Sequence, residues 1–121
     1  MALLLMACQE QYPQGKRLYE HHCSSCHMND GTGLGALLPP LKNSDFLAEN
    51  LYRVPCIIRN GLFETITVNG IQYSEIMIGF PDLNPIEISN IMHYITSVFL
   101  EDKKRTYKIQ QIEKMLEECD F

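Results

Sequence analysis

The sequence predicts an all-α fold in one domain, with one small β-hairpin near residues 65–73. Three observations carry this expectation. The chain has 121 residues, 45% hydrophobic and 21% charged, which gives room for one modest core. Apolar residues recur at helical spacing in three separate stretches, the clearest being Ile88, Ile91, Met92, Ile95 and Phe99. Strand-like alternation occurs only around Ile66 and Val68, which alternate with threonines before Asn69-Gly70, the preferred two-residue hairpin turn. No apolar run reaches the roughly 18 residues of a transmembrane helix. The formal net charge of -5 and pI near 5.3 argue against nucleic acid as a partner.

In chain order, Met1 to Ala7 are apolar and uncharged and run into Cys8 and the polar Gln9-Glu10-Gln11. Residues 1–8 therefore resemble the remnant of an export signal and are set aside from the fold. Gly15 to His22 form a short amphipathic helix with Leu18 and Tyr19 apolar, and His21 and His22 in the last turn suit its dipole. Gly31, Gly33, Gly35 and Pro39-Pro40 then impose a loop. Ser44 caps a brief helix through Phe46, Leu47 and Leu51, and a second runs from Val54 to Arg59 and stops at Asn60-Gly61. Asn84-Pro85-Ile86-Glu87 supplies a cap, a first-turn proline and a third-position glutamate for the long helix, on whose surface His93 is expected. A last helix, Ile109 to Glu118, puts Ile109, Ile112, Met115 and Leu116 on one stripe.

Chemistry concentrates at Cys23-Ser24-Ser25-Cys26-His27. Two thiols one helical turn apart, with an imidazole directly after the second, suit covalent attachment of haem. Each thiol adds across a vinyl group, and the porphyrin is then held with His27 facing the iron. One such motif means one haem. Zinc is a competing reading, but closed zinc sites recruit a second ligand pair at similar spacing, and none is present. A thioredoxin-like redox pair would follow a strand in a βαβ pattern, which this chain lacks.

The motif and its surroundings, over residues 12 to 100, resemble class I c-type cytochromes of the small exported bacterial type. Gly15-x-x-Leu18-Tyr19-x-x-x-Cys23 is similar to the family's N-terminal helix, and Asp30-Gly31-x-Gly33 to its glycine-rich turn. The resemblance implies that Pro39 supplies the carbonyl that accepts a hydrogen bond from the axial histidine, and that Leu41 lies on the haem face. Such a bond fixes the imidazole tautomer and raises its basicity. Ile57-x-Arg59-Asn60-Gly61 through Val68-Asn69-Gly70 resembles the segment before the sixth ligand. Met77-Ile78-Gly79-Phe80 is similar to the Met-Pro-x-Phe motif, with Ile78 in place of the proline. The expected fold is cytochrome c-like, and Tyr19 and Tyr94 are expected to pack where the first helix crosses the long one.

Met77 is accordingly the expected second iron ligand, with His27. Of the other methionines, Met1 and Met6 lie in the leader, Met28 adjoins His27, and Met92 and Met115 lie on helical core stripes. Met77 falls in a loop between hairpin and helix. A thioether there stabilises ferrous iron and closes the site to small ligands, which suits one-electron transfer between redox proteins rather than catalysis. The alternative is a haem-based ligand sensor or peroxidase-like protein with an open sixth position.

Three expectations concern the remaining cysteines and the tail. Leu5-Met6-Ala7-Cys8 resembles a bacterial lipoprotein signal, so Cys8 is an expected lipidation site. The chain would then work in the periplasm, anchored to the membrane by lipid, as a monomer that meets its electron donor and acceptor there. With Cys8 lipidated and Cys23 and Cys26 on haem, Cys56 and Cys119 are left to pair in an oxidising compartment. Residues 9–100 form the haem domain, and residues 101–121 a charged linker and a helix docked on it.

Overall fold

A computed structural model describes residues 11–120; Cys8 and its leader lie outside the described residues. The first helix, α1, spans Pro13–His22. It starts two residues earlier than expected because Pro13 takes the first helical position, where a missing N–H costs nothing. α1 crosses the long helix α5, Pro85–Phe99, in the largest interhelical contact of the fold. Gly15 makes the crossing possible, since a Cβ there would collide with the Asn90 carbonyl and the Tyr94 side chain. One turn on, fully buried Tyr19 packs its ring 5.4 Å from Tyr94 and 5.1 Å from Phe99.

α5 forms as its sequence dictates. The Asn84 side chain accepts from the Glu87 N–H at 2.9 Å, and the Glu87 carboxylate accepts from the Asn84 N–H at 3.1 Å. Ile88, Ile91, Met92, Ile95 and Phe99 are all buried and line the core. Two shorter helices lie between. α3, Asp45–Glu49, is capped by the Ser44 hydroxyl, which accepts from Leu47 N–H at 3.0 Å. α4, Val54–Asn60, ends at Gly61 with φ 85° and contributes a continuous buried run from Val54 to Ile58. The attachment motif itself forms a single turn, α2, Ser24–His27.

Two small antiparallel sheets accompany the helices, so the fold is mostly helical rather than strictly all-α. The expected hairpin pairs β2, Ile66–Val68, with β3, Ile71–Tyr73, around Asn69 and Gly70 at φ 50° and 82°. The unexpected sheet pairs β1, Gly61–Leu62, with β4, Met77–Ile78. Met77 thus lies in a strand and not in a loop. Two-residue strands are too short to show alternation in sequence. Both ladders keep one register: three residues (63–65 and 74–76) separate them on each arm, and Thr65 Oγ1 meets Ser74 Oγ at 3.2 Å between them.

The tail is anchored at three points. α6, Ile109–Glu117, packs on α4 and α5 through fully buried Ile112, with Met115 and Leu116 at the edge of the core. Ile109 departs from the expected stripe and is 39% exposed, because it opens the helix before the chain has settled on the core. Upstream, buried Tyr107 is held from both sides: the Ser89 hydroxyl donates to its carbonyl at 2.7 Å, and its N–H donates to His93 Nε2 at 2.8 Å. His93 is therefore no plain surface residue. Tyr12 stacks on it at 5.3 Å and Tyr107 meets it edge-on at 5.2 Å. The third anchor is a disulfide between Cys56 of α4 and Cys119, with Cα atoms 5.7 Å apart. Among the described residues, no helix is long and apolar enough to cross a membrane.

Candidate haem attachment site

Cys23 marks the bend from α1 into α2. Its N–H continues α1 by donating to the Tyr19 carbonyl at 2.8 Å, and its own carbonyl accepts from His27 N–H at 2.9 Å. Cys26 thus falls about one helical turn after Cys23, and His27 directly after it. Neither thiol is in a disulfide; Cys23 is partly buried and Cys26 exposed. Burial, then the neighbouring Cys26, pushes the Cys23 thiol up to about 12. An activated redox pair needs the opposite, a thiol whose ionisation is made easier.

The loop after α2 folds back on the histidine. The Tyr19 hydroxyl donates to the Met28 carbonyl at 2.6 Å, which pins the start of the loop to the core. Gly33 N–H donates to the His27 carbonyl at 3.0 Å, and Leu41 and Lys42 N–H both donate to the Gly31 carbonyl, at 2.8 and 2.9 Å. Gly33, at φ 70°, is required here, because a Cβ would collide with the Leu38 and Pro39 backbone. Gly31 likewise leaves space for the Phe99 ring. The result is a 2.8 Å hydrogen bond between His27 Nδ1 and the Pro39 carbonyl.

That bond settles the imidazole chemistry. A carbonyl only accepts, so Nδ1 carries the proton and Nε2 is the nitrogen with a free lone pair. Burial lowers the His27 pKa and the Pro39 carbonyl opposes it, and the ring is a neutral base near pH 7. Two unpaired thiols and one oriented, neutral imidazole form the donor set that covalently attached haem requires. A zinc site has no comparable set: among the described residues, no group of three or more histidine, cysteine or acidic side chains is arranged to hold a metal ion.

Met77 is partly buried in β4, opposite Leu62 of β1. The backbone after it rests on the end of α4. Phe80 N–H donates to the Ile58 carbonyl at 2.8 Å, and a Cβ on Gly79 would collide with the Arg59 and Asn60 backbone. Leu41 is partly buried against the core. The loop bearing Pro39 and the strand segment bearing Met77 also present apolar side chains to solvent: Leu34, Leu37, Ile76 and Ile78 are all at least half exposed. Sequence reasoning missed two supports of the site. Tyr73, at the end of the hairpin, donates its hydroxyl to the Gly35 carbonyl at 3.1 Å. Asp45 and Asn69 join the hairpin tip to α3, each side chain accepting from the other's N–H, at 2.7 and 3.1 Å. In the sequence, the first-turn Asp45 and the Asn-Gly turn are the signals of that link.

Helical packing around an oriented histidine beside two thiols defines a mono-haem c-type cytochrome. The chain belongs to the family described as cytochrome c oxidase, cbb3-type, subunit III, whose model matches residues 10–95. It is similar to a cytochrome c-552 of Thermus thermophilus, at 26% identity, covering 93% of this chain and 81% of that protein. A second cytochrome c-552 from the same species is also 26% identical, over 84% of this chain and 82% of its own length. A short stretch of 27 residues, 22% of this chain, is 56% identical to part of the cytochrome c subunit of a quinone alcohol dehydrogenase from Gluconobacter oxydans; it covers 6% of that protein. Family membership brings covalently bound haem c and the role of a haem electron carrier that exchanges electrons with redox partners.

Proposed function

We propose that Cys23 and Cys26 would hold one haem by thioether bonds, that His27 Nε2 and the Met77 thioether would ligate its iron, and that the chain carries single electrons between proteins outside the cytoplasm. The observation that carries this reading is the 2.8 Å bond from His27 Nδ1 to the Pro39 carbonyl, which leaves Nε2 free to ligate. The haem supplies the one-electron couple. The chain's residues supply its setting: Pro39 orients and strengthens the histidine donor, and Met77 favours the ferrous state and keeps small ligands off the metal.

Residues 9–100 form the haem domain in this reading, with residues 101–121 as an appended linker and helix. The exposed apolar side chains around Pro39 and Met77, Leu34, Leu37, Ile76 and Ile78, suit the small, weak interfaces of redox encounters. Leu41 would close the histidine side of the haem. Attachment of this kind occurs outside the cytoplasm, and Leu5-Met6-Ala7-Cys8 is the candidate export and lipidation signal, which would anchor a monomer to the membrane. Mass spectrometry of the mature protein tests that part: a diacylglyceryl group on Cys8 supports it, and an unmodified N-terminus after a different cut overturns it.

The central reading is tested by extraction and ligand binding. Acid acetone should leave the colour on the wild-type chain. Met77→Ala should lower the reduction potential and admit carbon monoxide to the ferrous iron, which the wild type should bind poorly. Freely extracted haem would refute attachment, and rapid carbon monoxide binding by the wild type would favour the open-site sensor or peroxidase-like reading.

A further inference from the structure

We propose that the Cys56–Cys119 disulfide makes α6 a brace that holds residues 77–80 in ligating position, so that cleaving it loosens the iron's sixth ligand. This rests on the reading of Met77 as that ligand.

The segment after Met77 has its support on α4. The Phe80 N–H bonds to the Ile58 carbonyl, β4 pairs with the β1 residues that follow α4 directly, and Gly61 and Gly79 let the two backbones touch without Cβ atoms between them. Wherever residues 58–61 go, Met77 follows. Yet α4 has only seven residues and no side-chain cap at its N-terminus. A helix of fewer than two turns has little stability of its own and takes its position from what it packs on.

α4 packs on both α5 and α6, and α6, to which alone it is tied covalently through Cys119 just beyond the helix end, is itself well anchored. α6 buries Ile112 in the core, and Tyr107 just before it is gripped through both backbone groups by Ser89 and His93 of α5. Cys56 is 3% exposed in the middle of α4, two residues before the Ile58 carbonyl that holds Phe80. The covalent bond from Cys119 therefore transfers the rigidity of the α5–α6 pair to the short helix under the methionine segment. Cys56 and Cys119 act on the iron only by positioning another residue.

The experiment uses the complete holoprotein in the ferrous state, reduced with ascorbate, with the disulfide intact or cleaved by a water-soluble phosphine. Cleavage adds two electrons and two protons to the disulfide to give two thiols, and the phosphine becomes its oxide with oxygen from water. Thiol titration confirms completion. Carbon monoxide should bind at least about tenfold faster after cleavage, and the Phe80 amide should exchange about tenfold faster, while Met92 in α5 is unchanged. The double variant Cys56→Ser with Cys119→Ser should behave like the cleaved protein, and it avoids any reaction of phosphine with iron. Met77→Ala with its disulfide intact separates the two ideas. If that variant binds carbon monoxide no faster than wild type, the ligand reading has failed. If it binds fast while the cleaved protein stays as slow as the intact one, the brace is refuted. Faster exchange at Met92 to the same degree would also overturn it, because the disulfide would then be stabilising the whole fold.

Discussion

The grip of His93 on Tyr107 makes a pH-dependent prediction that can be followed in detail. His93 Nε2 accepts the Tyr107 N–H at 2.8 Å, so the bond exists only while the ring is neutral. Burial lowers the His93 pKa, with the Ser89 carbonyl opposing. In the unfolded chain the imidazole titrates near 6.5. Below that value the unfolded state takes up a proton that the folded ring resists, so the contribution is complete above about 6.5 and lost as pH falls toward the lowered folded value. His93→Phe keeps a flat ring between Tyr12 and Tyr107 but removes the acceptor. It leaves the N–H of a buried residue without a partner, at a cost of about 1–3 kcal/mol. Urea unfolding of both proteins across pH 8 to 5 gives the difference curve, and His22, whose pKa is also lowered, is common to both and cancels. The wild type should lead by that amount at pH 8, and its lead should shrink below about 6.5. Equal stability at pH 8, or a lead that does not change with pH, would refute the reasoning.

Other perturbations test the scaffold. Met92→Ala should cost about 2–5 kcal/mol in chemical unfolding, because a fully buried side chain leaves a cavity in the α5 face. Asn84→Ala should cost about 1 kcal/mol by removing one half of the capping box, and amide exchange should rise in the first turn of α5. Tyr19→Phe keeps the ring but leaves the Met28 carbonyl without its hydroxyl donor. Because the Gly31 N–H still donates to that carbonyl, the cost should be about 0.5–1.5 kcal/mol, with faster exchange at the Gly31 N–H.

What the sequence disclosed follows from how local each signal is. The capping box and buried stripe of α5 lie within one stretch of chain, and so does the hairpin turn at Asn69-Gly70. The attachment motif is five consecutive residues, and Pro39 is only twelve residues beyond His27. The pairing of Cys56 with Cys119 followed from compartment and count, although nothing near either cysteine marks the other. Apart from the early start at Pro13 and the exposure of Ile109, the misses depend on a distant partner. His93 looked like a surface residue because Tyr107, which occupies its nitrogen, belongs to a tail that first has to fold back. Gly15 and Gly79 gain their meaning only when Asn90 and Asn60 arrive against them. Met77 seemed to be in a loop because a two-residue strand is defined by its partner, Leu62, and not by any pattern of its own.

The shared register of the two ladders limits how this chain can change in length. Gly61 to Ile78 is one hairpin interrupted in the middle, with equal arms of three residues between its paired sections. Side chains alternate across a strand, so deleting one residue from 63–65 alone would shift Met77 by one step against Leu62 and turn its thioether toward the opposite face. A matched deletion on both arms would shorten the hairpin and leave Met77 where it was. Insertions beyond Asn69-Gly70 would only lengthen the tip, away from the methionine. Length variants of this hairpin that keep their methionine in place should therefore differ by equal changes in both arms or by changes at the turn.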